Sequence, residues 1–334
     1  MTKVAVLGSG AFGTALAKVL ADQGNATQLW TRRSELAEAI NRTATNERYL
    51  PGIPLPAELR ATTDLADALT GADLVLFVVP SHVTRQVAEQ AKPHLPAAAT
   101  ICNATKGIEN GSLMLMSEVM VDVLGAEAEP RLTYLSGPSF AREIATGVPT
   151  AVTVAGTATE AAERVQREFA TAHLRMYYTK DVPGVEVGGA VKNVCAIAAG
   201  AIDGLGTGLN TGAALMTRGL AEIGRLAQAK GADPLTLAGL AGMGDLVLTC
   251  TGALSRNRTV GVELGKGRKL KDILESLGHV AEGVKTTKSA YELSQKLDVD
   301  MPLTNEVYQI LYEDKPVKQA VMDLMTRPLK HEQQ

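Results

Sequence analysis

Short apolar runs punctuate the first half of the chain at Val4–Leu7, Ala26–Trp30, Leu74–Val79, Thr100–Asn103, Leu132–Leu135 and Ala151–Val154, with helical stretches between them. That alternation predicts a parallel sheet with helices on its faces. Beyond about Lys180 the strand-like runs stop. A 3.6-residue period takes over in Val185–Ile202, Ala213–Lys230, Leu270–Leu277, Val284–Leu297 and Asn305–Leu311, which predicts a mainly helical second half. Pro183 with Gly184, Gly188 and Gly189 marks the expected junction. A chain of 334 residues fits two domains, taken as 1–180 and 181–334.

Composition changes this picture little. The chain is 46% hydrophobic and 21% charged, with 36 acidic and 33 basic side chains and a net charge of -3, so nothing marks a polyanion such as nucleic acid as the main ligand. Cys102, Cys195 and Cys250 lie far apart, which argues against a disulfide framework or a thiolate metal site. His82, His94, His173, His279 and His331 show no metal-ligand spacing, and no metal is expected. Cys195 reads as a small buried apolar residue and Met114–Met120 as helix core. The start at Met1 lacks the basic and apolar regions of a secretory signal, and the most continuous apolar run, Leu74–Val79, is far below the roughly 18 residues of a membrane span. A cytoplasmic protein without a membrane span is expected.

Chemistry enters at the first apolar run. Val4–Leu7 leads directly into Gly8-Ser9-Gly10-Ala11-Phe12-Gly13 and an Ala- and Leu-rich helix, the strand, turn and helix order of a dinucleotide site. Gly8 would permit the tight turn, Gly10 the approach of a pyrophosphate and Gly13 the packing of helix on sheet, while the helix N-terminus offers donors to the anion. An acidic residue that holds a ribose 2′-hydroxyl would stand about 20 positions onward. Arg32 and Arg33 stand there instead, and guanidinium groups favour a 2′-phosphate, hence NADPH, with NADH as the alternative. The competing reading gives both arginines to a solvated loop.

In the second half Lys192 lies on an apolar, small-residue helix with Gly188 and Gly189 one turn behind it, where a ligand could approach closely. A partly desolvated lysine there can bind a carbonyl oxygen and protonate it as hydride arrives at carbon; a lysine that reaches for the surface is the competing reading. Thr105-Lys106-Gly107 and Ser136-Gly137-Pro138-Ser139-Phe140-Ala141 follow predicted strands and so belong at the sheet's carboxyl edge, where ligands bind. Gly242-Met243-Gly244-Asp245 is a further glycine-rich segment. Ser255 would cap a short helix whose first turn, with Arg256 or Arg258, could take a phosphate.

Taken in order, G-S-G-A-F-G-T-A-L, T-K-G-I-E, L-S-G-P-S-F-A, the K-N lysine, G-L-A-G-M-G-D-L and S-R-N-R make the chain similar, over nearly its full length, to the bacterial NAD(P)-dependent glycerol-3-phosphate dehydrogenases. The resemblance implies a Rossmann-like doubly wound N-terminal domain, a helical C-terminal domain and reversible reduction of dihydroxyacetone phosphate for phospholipid synthesis. It implies Lys192 as proton donor and acceptor, with Lys106, Gly137, Ser139, Asp245, Ser255, Arg256 and Asn257 around the phosphorylated substrate. It also places Ala11, Phe12, Arg32, Arg33, Lys106, Ala141, Arg256, Val280 and Glu282 against the cofactor, favouring Arg256 over Arg258. A homodimer is compatible with the sequence, which does not specify the assembly. The rival readings are a 3-hydroxyacid or ketopantoate type reductase and a protein that binds NADPH without turnover.

Overall fold

The structure, a computed structural model, describes residues 1–277, 281–329, 331 and 332. Its strands are β1 Lys3–Leu7, β2 Ala26–Trp30, β3 Thr45–Asn46, β4 Leu50–Pro54, β5 Leu59–Thr62, β6 Leu74–Phe77, β7 Thr100–Asn103, β8 Leu132–Ser136, β9 Thr150–Ala155 and β10 Leu174–Thr179. Between them run helices α1 Ala11–Asp22, α2 Ser34–Thr43, α3 Leu65–Leu69, α4 Ser81–Ala91, α5 Met116–Leu124, α6 Ala141–Ala145 and α7 Thr159–Phe169. The second half holds α8 Val182–Leu205, α9 Leu209–Ala229, α10 Pro234–Leu237, α11 Asp245–Thr251, α12 Arg256–Gly265, α13 Leu270–Leu277, α14 Glu282–Lys296, α15 Pro302–Tyr312 and α16 Val317–Met325, with a π turn over Leu240–Gly244.

Eight strands form one sheet in the order β10-β9-β8-β7-β6-β1-β2-β5. The chain passes from β1 to β2 on one side and crosses to β6 on the other, so the strand order reverses beside β1 and opens a crevice at the carboxyl edge. Along β1 the side chains alternate between two cores. Val4 and Val6 pack on one face and Ala5 and Leu7 on the other, all at most 2% exposed.

The sheet departs from the sequence expectation in two ways. It is not wholly parallel, because β9 runs antiparallel to β8. The β3/β4 hairpin, β5 and the edge strand β10 were not expected: proline and glycine inside β4 argue against a strand, and β10 exposes Arg175, Tyr177 and Tyr178.

The helical half packs around α8, whose apolar positions from Val185 to Ile202 are all buried. By length and composition Val182–Gly204 could cross a membrane, but the stretch is enclosed by neighbouring helices, so protein takes the place of lipid around it. The other such stretch, Pro234–Thr251, is interrupted by the π turn. Pro183 and Gly184 lie in the first turn of α8 and Gly188 and Gly189 further inside it, so these residues do not form a linker.

α8 crosses α12 backbone to backbone. A Cβ on Gly200 would lie 2.0 Å from the Arg258 carbonyl oxygen, and one on Gly261 2.0 Å from that of Ile197. Gly204 and Gly265 repeat the arrangement one turn on, at 2.2 Å from the carbonyl oxygens of Val262 and Ala201.

Candidate active site

The fingerprint turn is built by its glycines. Gly8 has φ +126°, and a Cβ there would stand 2.3 Å from the Val78 carbonyl oxygen. A Cβ on Gly13 would stand 1.9 Å from the Gly8 carbonyl oxygen, so α1 can begin directly on the turn. Gly10 has open space where its side chain would be, and no side chain caps α1, which leaves the first N–H groups of the helix, those of Ala11 and Phe12 among them, facing the crevice. Asn46 fixes the turn from behind. Fully buried, it donates to the Ser9 carbonyl at 3.0 Å and to Thr14 Oγ1 at 2.8 Å.

Arg32 and Arg33 follow β2 at the same edge. Arg33 occupies the N-cap position of α2, and its N–H donates to Thr31 Oγ1 at 3.3 Å. Both side chains are exposed and have no ion-pair partner among the described residues. The fingerprint therefore meets two unneutralised guanidinium groups, a donor set that fits a dinucleotide carrying a 2′-phosphate.

Across the crevice the chemistry converges on one carboxylate. Lys192, from α8, donates to Asp245 Oδ1 and, at 2.9 Å, to Thr249 Oγ1. Lys106, from the loop after β7, donates to Asp245 Oδ2 at 2.7 Å and to the Gly137 carbonyl at 3.1 Å. Asp245 is 1% exposed and Lys192 7%, so solvent screens neither strongly. Burial tends to raise the Asp245 carboxyl, but the two ammonium groups outweigh it and hold it below its ordinary range. Burial lowers the Lys192 ammonium to about 8, against the pull of Asp245 and with the help of Lys106. Two cations against one anion leave an excess positive charge facing the crevice.

The Lys106 loop is held by its neighbours. Thr105 Oγ1 donates to the Val79 carbonyl at 2.7 Å, and the Thr105 N–H donates to Asn103 Oδ1 at 2.9 Å. Gly137, at φ +129°, turns the chain after β8 so that its carbonyl accepts from both Lys106 and Ser139 Oγ, the latter at 2.8 Å. Ala141 opens α6 at the same edge. The expectation that Gly188 and Gly189 clear space for a ligand is corrected. A Cβ on Gly188 would meet the Ala241 carbonyl oxygen at 2.6 Å and one on Gly189 the Ser136 hydroxyl at 2.5 Å, so the space is filled by the protein itself.

Ser255 caps α12 as expected, accepting from the Arg258 N–H at 3.3 Å. Arg258 is ion-paired with Asp203, whereas Arg256 is exposed and has no ion pair among the described residues. Asn257 lies between two helices, donating to Asn193 Oδ1 at 2.9 Å and accepting from the Gly283 N–H at 3.0 Å. Glu282 stands at the start of α14; burial raises its carboxyl, opposed first by Arg256. Val280 lies outside the described residues. Sequence reasoning missed Thr249 and Asn193, although Thr249 stands four residues after Asp245 and therefore on its face of α11.

Against known proteins, a family model described as NAD-dependent glycerol-3-phosphate dehydrogenase N-terminus matches residues 3–162, and its C-terminus counterpart matches residues 181–322. The chain belongs to this family. The NAD(P)+ glycerol-3-phosphate dehydrogenase of Myxococcus xanthus is 55% identical over 98% of this chain and 98% of its own. The crystal structure of glycerol-3-phosphate dehydrogenase from Coxiella burnetii superposes with a TM-score of 0.93 at 41% identity, covering 98% of this chain and 99% of that one. A ketopantoate reductase of Ralstonia eutropha, 17% identical with a TM-score of 0.60 over 96% of this chain and 100% of its own, shares the fold alone.

Proposed function

We propose that the protein reduces dihydroxyacetone phosphate to sn-glycerol 3-phosphate, reversibly and with NADPH in preference to NADH, and so supplies glycerophospholipid synthesis. The observation that carries the chemistry is a buried lysine, lowered to about 8, paired with a carboxylate that a second lysine shares. Membership of the glycerol-3-phosphate dehydrogenase family carries the substrate.

The fingerprint turn, Arg32 and Arg33 would hold the adenylate half of the dinucleotide, with Phe12, Ala141, Arg256 and Glu282 along its length. Bound there, the reduced nicotinamide supplies hydride. Lys192 presents its ammonium proton to the C2 oxygen, polarises the carbonyl and gives up that proton as the oxygen gains charge, leaving a neutral amine. Asp245 aims the ammonium. Lys106, with the turn at Gly137 and Ser139, faces the substrate from the sheet side, and Arg256 at the start of α12 takes the phosphoryl group together with Ser255 and Asn257.

A division of the chain at 180 and 181 is supported by the end of β10 at Thr179 and the start of α8 at Val182. A cytoplasmic setting agrees with three unpaired, buried cysteines. The decisive assay is NADPH oxidation with dihydroxyacetone phosphate beside unphosphorylated dihydroxyacetone. Turnover only of the phosphate ester is expected; equal turnover of both would reject the substrate, and none with any phosphorylated ketone would reject the enzyme.

A further inference from the structure

Where α8 meets the carboxyl ends of β7 and β8 lies a cavity of about 10 Å³, room for one water molecule. Asn103 and Lys106 line it after β7, Ser136 at the end of β8, and Glu186 and Gly189 on α8. Two of these side chains carry polar atoms that no protein group answers. Asn103 Nδ2 and Ser136 Oγ are buried without a hydrogen-bond partner among the described residues, and the residues themselves are only 1% and 2% exposed. Buried polar atoms are rarely left in that state, because the lost hydration is not repaid.

The geometry around both atoms is fixed. Asn103 Oδ1 accepts from the Thr105 N–H at 2.9 Å, so Nδ2 is the end of the amide still to be answered. A Cβ on Gly189 would stand 2.5 Å from Ser136 Oγ and 3.6 Å from Lys106 Cδ, so the hydroxyl and the lysine stem meet at one point of α8. An amide N–H only donates, so the occupant has to accept from it, which a metal cation cannot do. A hydroxyl can donate or accept, and water suits both.

We propose that one water molecule is a fixed part of this site, accepting from Asn103 Nδ2 and hydrogen-bonded to Ser136 Oγ, and that through it the two residues position Lys106. The role given to Lys106 rests on the reduction reading above; the water does not. With the water in place, the side chain that holds the Thr105 N–H is tied across to β8. Lys106, the next residue, then reaches Asp245 Oδ2 and the Gly137 carbonyl from an anchored loop. Asn103 and Ser136 act through Lys106 and are positioning residues.

The test joins a crystal structure of the full chain, at a resolution that shows ordered water, to the kinetics of NADPH oxidation by Ser136→Ala, Asn103→Ala and the double variant. One water within hydrogen-bond reach of both atoms is expected; a dry cavity, or an Asn103 amide turned onto a protein acceptor, would overturn the inference. Ser136→Ala should lower kcat about tenfold and leave the KM for NADPH unchanged, as one buried donor loses its partner near Lys106. An equal rise in the KM for NADPH would mark a general packing defect and remove the positioning role. Because both residues act through one water, the double variant should lose no more than Asn103→Ala alone. Losses that multiply in an active enzyme reject the positioning role and leave the reduction reading standing. A wild type inert toward every phosphorylated ketone rejects that reading and the positioning role with it.

Discussion

Lys192 owes its usefulness to a contest between burial, which lowers its ammonium to about 8, and the carboxylate that keeps it charged. Reduction needs the ammonium form, so its kcat should fall as pH rises through about 8. Oxidation needs the neutral amine and should rise across the same interval. Lys192→Ala should lower kcat by roughly 10²–10⁴-fold and flatten both profiles while cofactor affinity holds; a mutant with normal turnover and an intact profile would remove Lys192 from the chemistry. The two arginines of α12 separate in the same way. Arg256→Ala should raise the KM for the phosphorylated substrate by one to two decades, the equivalent of about 1.5–3 kcal/mol. Arg258 pairs with Asp203 near the surface, where such a pair contributes about 0–1 kcal/mol, so Arg258→Ala should lower Tm slightly and leave KM alone. The reverse ranking would show the phosphate contact to be Arg258. Lys192 and Asp245 were legible because they stand out as polar groups within glycine-rich segments. Gly188 and Gly189 were misread because a missing side chain looks the same in sequence whether a ligand or a carbonyl oxygen fills its place.

At the scale of elements the α8–α12 crossing sets the geometry, since α8 carries Lys192 and α12 begins with Arg256. The glycines that make it possible leave no slack: a methyl on Gly261 would strike the Ile197 carbonyl. Gly261→Ala should cost about 1–3 kcal/mol from overpacking and raise the substrate KM by moving Arg256. Gly212→Ala in α9, where nothing lies within 4 Å, should leave KM unchanged and stabilise slightly. Thermal melts and kinetics of the two variants decide the matter; a Gly261→Ala protein with the wild-type Tm and KM would show that the crossing can relax. The sequence marks these elements unevenly. Long periodic helices such as α8, α9 and α14 announce themselves, while α10, of four residues, is too short to show a period, and β4 and β10 lack the continuous apolar runs of central strands.

Across the whole molecule α8 also reaches back to the sheet domain. Its Glu186 accepts from the Ser117 N–H at 2.9 Å and from Ser117 Oγ at 2.5 Å, capping α5, and burial raises its carboxyl to about 8. A carboxyl harder to ionise in the folded chain than in the unfolded one lends its full stability only below the unfolded value. That share is lost as pH climbs from about 4.5 through about 8. Glu186→Gln should therefore gain Tm over the wild type as pH rises from 5 to 8; a constant difference across that range would show that Glu186 does not titrate there. No sequence pattern marks this link, because a lone glutamate on an apolar helix does not name its partner.

The carboxylate of Asp245 binds a lysine from each half of the protein, and this makes the crevice an interlock. Lys106 reaches it from the sheet and Lys192 from the helical core. If the halves part, Lys106 withdraws, and with it goes a charge that lowers the Lys192 ammonium. Lys192, the proton donor proposed above, would then be better paired and a weaker acid. On that proposal the contact between the two halves itself favours proton release, because it holds both lysines on one carboxylate.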